Sequence, residues 1–274
     1  MNLRIAEWAT IVIDSPFSGN IVIKDALNDM ALELVISDLD GTILETEDYH
    51  RRAYNVLFEE LGLTRRWSRE DYSARLATMG GGKFREIIGW LDQSEEDQEE
   101  VSRKLYARKT DLYVDLIVND LRSGDLSPRP GVERLFEEIL ESETLLAIGS
   151  ACVKWAAEKV LEASLGPALV ESLATVCAGD DVAAKKPDPA IYLLVAERCG
   201  VKPADCLVVE DTGHGLQAAL GAGMKCIVTP SELARNDSFA GAMMRFEDLE
   251  GVGLTRLRKM WMGEQGRVPR DGCL

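Results

Sequence analysis

The 274-residue chain carries 31 lysines and arginines against 47 aspartates and glutamates, a net charge of -16, with a pI near 4.7. That balance disfavours non-specific attraction to nucleic acid or an anionic membrane, so neither partner is expected, and an anionic substrate must be met by a few local cations. Contents of 46% hydrophobic and 28% charged residues are those of a soluble globular protein, long enough for one large domain or a core with a smaller insert; no apolar run approaches the roughly 18 residues of a membrane span.

Residues 1–30 fit no targeting pattern and carry acids, which argues against a transit peptide. Within this extension, Ile11-Val12-Ile13 and Ile21-Val22-Ile23 flank a Ser-Pro-Phe-Ser-Gly-Asn turn and predict a hairpin.

The next stretch is Leu34-Val35-Ile36-Ser37-Asp38-Leu39-Asp40-Gly41-Thr42. A short apolar run ending in two carboxylates and a glycine predicts a buried parallel strand that delivers acids to the carboxyl edge of a sheet. Asp38 and Asp40 are two apart on an extended segment, so both side chains leave on one side. Two carboxylates that close repel unless a cation sits between them or one holds a proton. On these residues alone, a plain strand running into an Asp-Gly turn serves equally well.

After Glu45-Thr46-Glu47-Asp48, the spacing of Ala53, Val56, Leu57 and Leu61 predicts one helix face ending at Gly62. Further helical patterns run from Ser68 to Ala77 and from Lys83 to Leu91. The acidic run from Ser94 to Glu100 opens a long amphipathic stretch through Val118, negative charge being favoured at a helix start. No strand pattern interrupts residues 51–122, so an all-helical module is expected over 50–123. Ser123-Gly124-Asp125 and Ser127-Pro128-Arg129-Pro130-Gly131 punctuate its return.

From there strand and helix alternate, with strand-like runs at Leu145 to Ile148, Ala174 to Cys177, Cys206 to Val209 and Lys225 to Val228. The pattern predicts an α/β fold, a doubly wound and mostly parallel sheet built from residues 31–49 and 124–258 and split by the helical insert. The basic residues after Leu257 read as a loosely ordered tail, 259–274. Six cysteines, at 152, 177, 199, 206, 226 and 273, form no CxxC pair and fit reduced, mostly buried thiols.

In an open parallel sheet, polar groups ending different strands converge beyond the carboxyl edge. The second core strand ends in Gly149-Ser150-Ala151, a hydroxyl and free N–H groups suited to phosphate, or simply an N-cap. After the third come Lys185-Lys186-Pro187, where Pro187 biases Lys186 toward extended backbone and the ammonium would serve a phosphoryl oxygen. The fourth ends in Glu210-Asp211-Thr212-Gly213-His214-Gly215, a second acidic pair that completes an oxygen-rich site suited to Mg²⁺.

Asp-x-Asp-Gly-Thr, then Ser, Lys-Pro and Glu-Asp, each at a predicted strand end, resembles the haloacid dehalogenase superfamily of phosphotransferases over about residues 31–250. The resemblance implies that Asp38 attacks phosphorus and forms an aspartyl phosphate, and that Asp40 is the general acid and base. It further implies that Asp38, the Asp40 carbonyl and Asp211 hold Mg²⁺ with Glu210, that Ser150 and Lys186 bind the transferring group, and that the insert is a cap over the site.

The combination is more specific. Glu-Thr-Glu before His-Arg, Trp67 and Tyr72 ahead of Gly-Gly-Lys-x-Arg, and Lys-Lys-Pro-Asp-Pro-Ala-Ile-Tyr before Val-Val-Glu-Asp resemble the CbbY-like phosphatases, which remove a misfire inhibitor of Rubisco. The resemblance implies hydrolysis of xylulose 1,5-bisphosphate to xylulose 5-phosphate. It assigns sugar-bisphosphate binding to Glu45, His50, Lys83 and Arg85, the last two on the distal phosphate. The text around Leu165-Gly166-Pro167 is closer to plant and algal members, which implies a plastid stroma for a photosynthetic eukaryote and the cytoplasm otherwise. A monomer is expected, with a small-molecule sugar phosphate as its partner. Ala151-Cys152-Val153 and His214 depart from the family pattern and leave the exact sugar open. A β-phosphoglucomutase-like transferase and a catalytically silent phosphosugar sensor are the competing readings.

Overall fold

The computed structural model describes residues 12–13, 21–22, 31–75, 81–91 and 98–263. Val12–Ile13 (β1) pairs antiparallel with Ile21–Val22 (β2), the hairpin that the alternation predicts.

The core is a six-stranded parallel sheet. Its strands in chain order are Leu34–Ser37 (β3), Leu145–Gly149 (β4), Thr175–Cys177 (β5), Cys206–Glu210 (β6), Lys225–Val228 (β7) and Met244–Arg245 (β8). Across the sheet they run β5-β4-β3-β6-β7-β8, so β3 lies between β4 and β6, where the strand order reverses. That reversal is the place where an open α/β sheet leaves a crevice for ligands. β3 and β6 are buried along their whole length, as expected of strands covered on both faces, and this is why they read as continuous apolar runs. Alternation then assigns sides. Leu34, Ile36 and Val208 pack on one face with Tyr192 and Val195, whereas Val35, Leu207 and Val209 pack on the other.

The second of those faces is continuous with the insert. Its helices are Glu47–Glu60 (α1), Arg69–Ser73 (α2), Gly81–Trp90 (α3) and Gln98–Ser123 (α4). α1 starts on Glu47 and Asp48, acids at the positive end of the helix, and buries Ala53, Tyr54, Leu57 and Phe58. Those side chains meet a cluster of rings. Trp67 lies 4.8 Å from Tyr54 and 4.9 Å edge-on from Phe58, and Trp90 packs edge-on to both Phe58 and Trp67. α4 packs against α1 on one side and against Lys154–Leu165 (α5) of the core on the other. The remaining core helices are Val132–Leu140 (α6), Pro167–Glu171 (α7), Ala190–Cys199 (α8), Gly213–Gly221 (α9) and Leu254–Trp261 (α10).

Four expectations are corrected. The boundary at residue 50 falls inside α1, which begins at Glu47. The helix expected from Ser68 to Ala77 spans only Arg69–Ser73; Ser68 and Asp71 close a capping box at its start, and residues 76–80 lie outside the described residues. Strand β8 has two residues, too few for a periodicity to register. Finally, the tail does not begin at 259. α10 continues to Trp261, whose ring is 4% exposed and lies under Lys225, with Lys225 Nζ donating to the Trp261 carbonyl at 2.8 Å. Basic residues on one side of α10 hide an apolar stripe of Leu254, Leu257 and Trp261 on the other.

Among the described residues, five cysteines are free thiols, and no helix is long and apolar enough to cross a membrane.

Candidate active site

β3 ends at Ser37, and Asp38 follows at the edge of the sheet, its backbone N–H donating to the Val209 carbonyl of β6 at 3.0 Å. That bond fixes the first acid beside the end of β6, which carries Glu210 and Asp211. Asp38, Glu210 and Asp211 are all buried, with carboxylate oxygens within 4.8 Å of one another. Lys186, reaching in from the β5–α8 loop, places Nζ 2.5 Å from Asp38 Oδ1 and 2.7 Å from Glu210 Oε1.

Glu210 is held from all sides. Oε1 also accepts from the Tyr192 hydroxyl at 2.6 Å, and Oε2 accepts from the N–H groups of Asp211 and Thr212 at 2.9 and 3.1 Å and from the Thr212 hydroxyl at 3.3 Å. Thr212 in turn caps α9 by accepting from the Gly215 N–H at 3.0 Å. Two glycines make room: a Cβ at Gly215 would stand 1.8 Å from Glu210 Oε1, and one at Gly41 would stand 2.0 Å from Asp211 Oδ2. Gly41 also has φ of 81°, which disfavours any side chain there.

The charges set the electrostatics. Burial pushes Asp38 up to about 7, with Lys186 opposing and Glu210 and Asp40 reinforcing. Burial likewise drives Asp211 well above the usual carboxylate range, helped by Glu210 and Asp38. For Glu210 burial also works upward, but the Lys186 ammonium and the Tyr192 hydroxyl outweigh it and keep it low. Burial disfavours the Lys186 ammonium, yet its two carboxylates hold it charged. With all three acids ionised, as a bound cation would require, three carboxylates against one ammonium leave an excess of two negative charges inside the protein. An all-oxygen donor set with that excess fits a hard divalent cation such as Mg²⁺.

Asp40 points toward the insert. Its Oδ1 accepts from Thr46 Oγ1 at 2.7 Å and from the Tyr113 hydroxyl of α4. Thr46 holds the N-cap position of α1 but makes no side-chain cap bond, its hydroxyl serving Asp40 instead. The Tyr113 ring stacks on His50 with centroids 4.1 Å apart, and Lys109 Nζ lies 2.5 Å from His50 Nδ1 and over the faces of Tyr54 and Tyr113. Burial, followed by the charges of Lys109 and Lys83, keeps His50 neutral, so Nδ1 accepts from the Lys109 ammonium. Burial brings Lys109 down to about 8 against the pull of Cys152, Glu47 and Asp40, and it also lowers Lys83. Glu47, half-buried and raised by desolvation, accepts from Tyr72 Oη at 2.9 Å and is a counter-charge to both lysines.

The expected site residues therefore divide. Asp38, Lys186, Glu210 and Asp211 form one buried group, and Asp40 links it to the insert through Tyr113. Ser150, fully buried just after β4, accepts from the Cys152 N–H at 3.0 Å in a local turn; it is not the N-cap its sequence context also allowed, because the helix starts at Lys154 with Val153 in that position. His50 and Lys83 sit in the buried wall of the insert. Arg85 does not join them: it is exposed, on the side of α3 turned away from Phe84, Ile87 and Ile88. Glu45 accepts from the Glu232 N–H of the loop after β7 at 3.2 Å, which places it on the core side. His214 is exposed on α9. Lys109, Tyr113 and Tyr192 were not anticipated. Lys109 stands at a position of α4 where a cation usually faces water, and the two tyrosines sit in ordinary apolar helix stripes.

Residues 32–223 match the model of the haloacid dehalogenase-like hydrolase family. Protein CbbY of Rhodobacter capsulatus is 37% identical over 227 residues, 81% of this chain and 96% of that protein. A CBBY-like protein of Arabidopsis thaliana is 37% identical over 78% of this chain and 68% of that one. The crystal structure of a mutant CbbY from Rhodobacter sphaeroides in complex with xylulose-(1,5)bisphosphate superposes with a TM-score of 0.72, at 34% identity, over 82% of this chain and 99% of the other.

Proposed function

This chain belongs to the haloacid dehalogenase-like hydrolases, in their CbbY-like group, and from that premise we propose that it is a Mg²⁺-dependent phosphatase taking xylulose 1,5-bisphosphate to xylulose 5-phosphate and phosphate. The observation that carries the chemistry is the convergence of three buried carboxyl groups, two of them bonded to one lysine, at the edge of the sheet. The sugar bisphosphate comes from the relative whose complex is known, and two buried lysines in the insert support an anion with a second phosphate.

Asp38 is the nucleophile. Its carboxylate oxygen forms a bond to phosphorus as the bond from phosphorus to the sugar oxygen breaks, giving an aspartyl phosphate. Asp40 gives its proton to the departing sugar oxygen and then takes one from the water that hydrolyses the intermediate. Asp38 must be ionised for the attack, the form that the Lys186 ammonium favours, while Asp40, whose Oδ1 accepts from the hydroxyls of Thr46 and Tyr113, would carry its proton on Oδ2.

An unscreened carboxylate approaching a phosphate is repelled by about 4 kcal/mol per pair of unit charges at 4 Å and an effective dielectric near 20. Lys186 offsets part of this for Asp38. Mg²⁺ held by Asp38, Asp211 and Glu210, with the Asp40 carbonyl, would supply the remaining charge neutralisation and polarise the phosphoryl oxygens. Ser150 and the N–H groups after it offer neutral donors to the same oxygens. In the insert, Lys83 and Lys109 receive the distal phosphate, His50 holds Lys109 in place, and the insert keeps bulk water out.

The test is phosphate release from a panel of pentose and hexose mono- and bisphosphates with Mg²⁺ and with excess EDTA. Ketopentose bisphosphates are expected among the best substrates, with release abolished by EDTA. Poor turnover of every ketopentose bisphosphate would defeat the substrate assignment, and conversion of glucose 1-phosphate without released phosphate would defeat hydrolysis itself.

A further inference from the structure

Arg129 belongs to the coil that returns the chain from the insert to the core, and its guanidinium gathers backbone carbonyls from three loops. Nη1 donates to the carbonyls of Gly41 and, at 2.7 Å, Thr229, with a longer contact of 3.4 Å to Thr229 Oγ1. Nη2 donates to the carbonyls of Pro230 at 3.1 Å and Glu247 at 3.3 Å. Its own N–H donates to the Ile43 carbonyl at 2.8 Å. One side chain therefore ties the loop after β3, the loop after β7 and the loop after β8 to the hinge of the insert.

Two of those loops press on Asp211. The Gly41 backbone lies so near that a Cβ there would stand 2.0 Å from Asp211 Oδ2 and 3.0 Å from Ser231 Cβ. Ser231, buried next to Pro230, borders the same contact and lowers the Asp211 carboxyl against the effect of its burial. Asp211 thus lies against Gly41 and Ser231, in two loops whose Gly41 and Pro230 carbonyls both accept from Arg129. We propose that Arg129 is a positioning residue for the metal site: by clamping the Gly41 and Pro230 carbonyls it sets the orientation of Asp211 and hence the affinity for a divalent cation.

A guanidinium suits this task because its planar fork fixes several acceptors at once, whereas an ammonium reaches fewer and fixes none in a plane. Residues that orient metal ligands without touching the ion typically change metal affinity by roughly 10- to 100-fold when removed. Arg129 acts through backbone carbonyls, one step further out, so the effect belongs at the lower end of that range. A residue that merely stabilised the fold would lower the melting temperature and leave the affinity of the surviving folded protein alone.

The proposal rests on reading the carboxylate trio as a divalent-cation site, and the experiment separates the two. Mn²⁺ is titrated into the full-length protein and free Mn²⁺ followed by electron paramagnetic resonance, for wild type, Arg129→Met and Arg129→Lys, alongside thermal melts. About tenfold weaker Mn²⁺ binding is expected for Arg129→Met, with Arg129→Lys in between. A dissociation constant for Arg129→Met within twofold of wild type overturns the positioning role, whatever the melting temperature does. Absence of Mn²⁺ binding by wild type overturns the metal site itself. Should Arg129→Met fail to fold, Arg129→Lys decides: binding weakened at least threefold supports the clamp, and binding unchanged within twofold ends it.

Discussion

The edge of the sheet and the wall of the insert are built on opposite electrostatic plans. At the edge, the three acids Asp38, Glu210 and Asp211 cluster beside one lysine, which bonds the first two. In the insert, Lys83 and Lys109 are both buried around one carboxylate, Glu47, with His50 kept neutral beside them. The two plans meet at Asp40, an acid of the core that accepts a hydrogen bond from Tyr113 of the insert. A phosphate is attracted to the second region and repelled by the first, so in the proposed reaction anion binding and chemistry would fall to different parts of the molecule. That division suits a substrate with two phosphates, one held where charge favours it and the other presented where charge must first be neutralised.

The largest expected effect comes from the anionic region. Asp38→Asn keeps the shape of the side chain but removes the proposed nucleophile, and phosphate release should fall by at least about 10⁴-fold, the scale on which enzymes lose a covalent catalyst. The same substitution removes one negative charge from beside Asp211 and Glu210, so the protein should melt no lower than wild type. A variant that retains a hundredth of the activity would show that the acid group acts by charge alone. Next in size is the packing of the basic region. Phe58→Ala empties a fully buried ring from between Trp67, Tyr54 and Trp90 and should cost about 3–5 kcal/mol in urea unfolding. A cost below about 1 kcal/mol would mean that the insert is not held together by these rings.

The two regions also differ in how far their residues were legible in the sequence. Asp38 and Asp211 directly follow short, mostly apolar strands and Glu210 ends one, and a polar residue at the end of such a run has one place to go, the carboxyl edge; Lys186 comes from the loop after β5. The glycines at 41 and 215 were not legible in that way: Gly41 reads as a turn residue, and only the structure shows that each leaves room for a carboxylate. Lys109 and Tyr113 lie within a 26-residue helix whose faces touch the core, the insert and water in turn, so no periodicity marks which lysine of α4 is buried. Arg85 shows the converse: its place two residues after Lys83 suggested a shared role, but on a helix that spacing turns the side chain to another face. The early expectation of a tail at 259 failed because Trp261 is anchored by Lys225, a residue far away in the chain.

Lys109→Met sharpens the comparison at an intermediate size. Removing the ammonium should raise KM for a sugar bisphosphate by about 10- to 100-fold, the worth of one charge-assisted contact of roughly 1.5–3 kcal/mol, with little change in KM for a sugar monophosphate. Stability should move the other way. Lys109 titrates near 8 in the folded protein against an ordinary 10.5, so between those values the unfolded chain binds the extra proton, and wild-type stability gains as pH rises through that window. Below pH 8 the wild type carries the full cost of a buried ammonium. The methionine variant is therefore expected to be the more stable protein at pH 7, and its advantage should narrow from pH 8 to 10.5. Urea melts of the two proteins at pH 7, 9 and 10.5 read this directly, and an advantage independent of pH would refute the buried-cation account.

The smallest effect is expected where the regions touch at the surface. Arg69, the first residue of α2, donates to Glu232 of the loop after β7 at 3.1 Å and lies 3.3 Å from Asp48, and the side chains of Arg69 and Glu232 are 56% and 55% exposed. Water and salt screen such a pair, and holding two long side chains in one geometry costs entropy, so its net worth is about 0.2–1 kcal/mol. Arg69→Ala should therefore lower stability by no more than that and change kcat/KM less than about fivefold, and the difference from wild type should vanish near 1 M salt, where charges are screened within roughly 3 Å. A larger effect that persisted in salt would mean that this surface bridge, rather than the Tyr113–Asp40 bond and the packing of α4 on α5, joins the basic region to the acidic one.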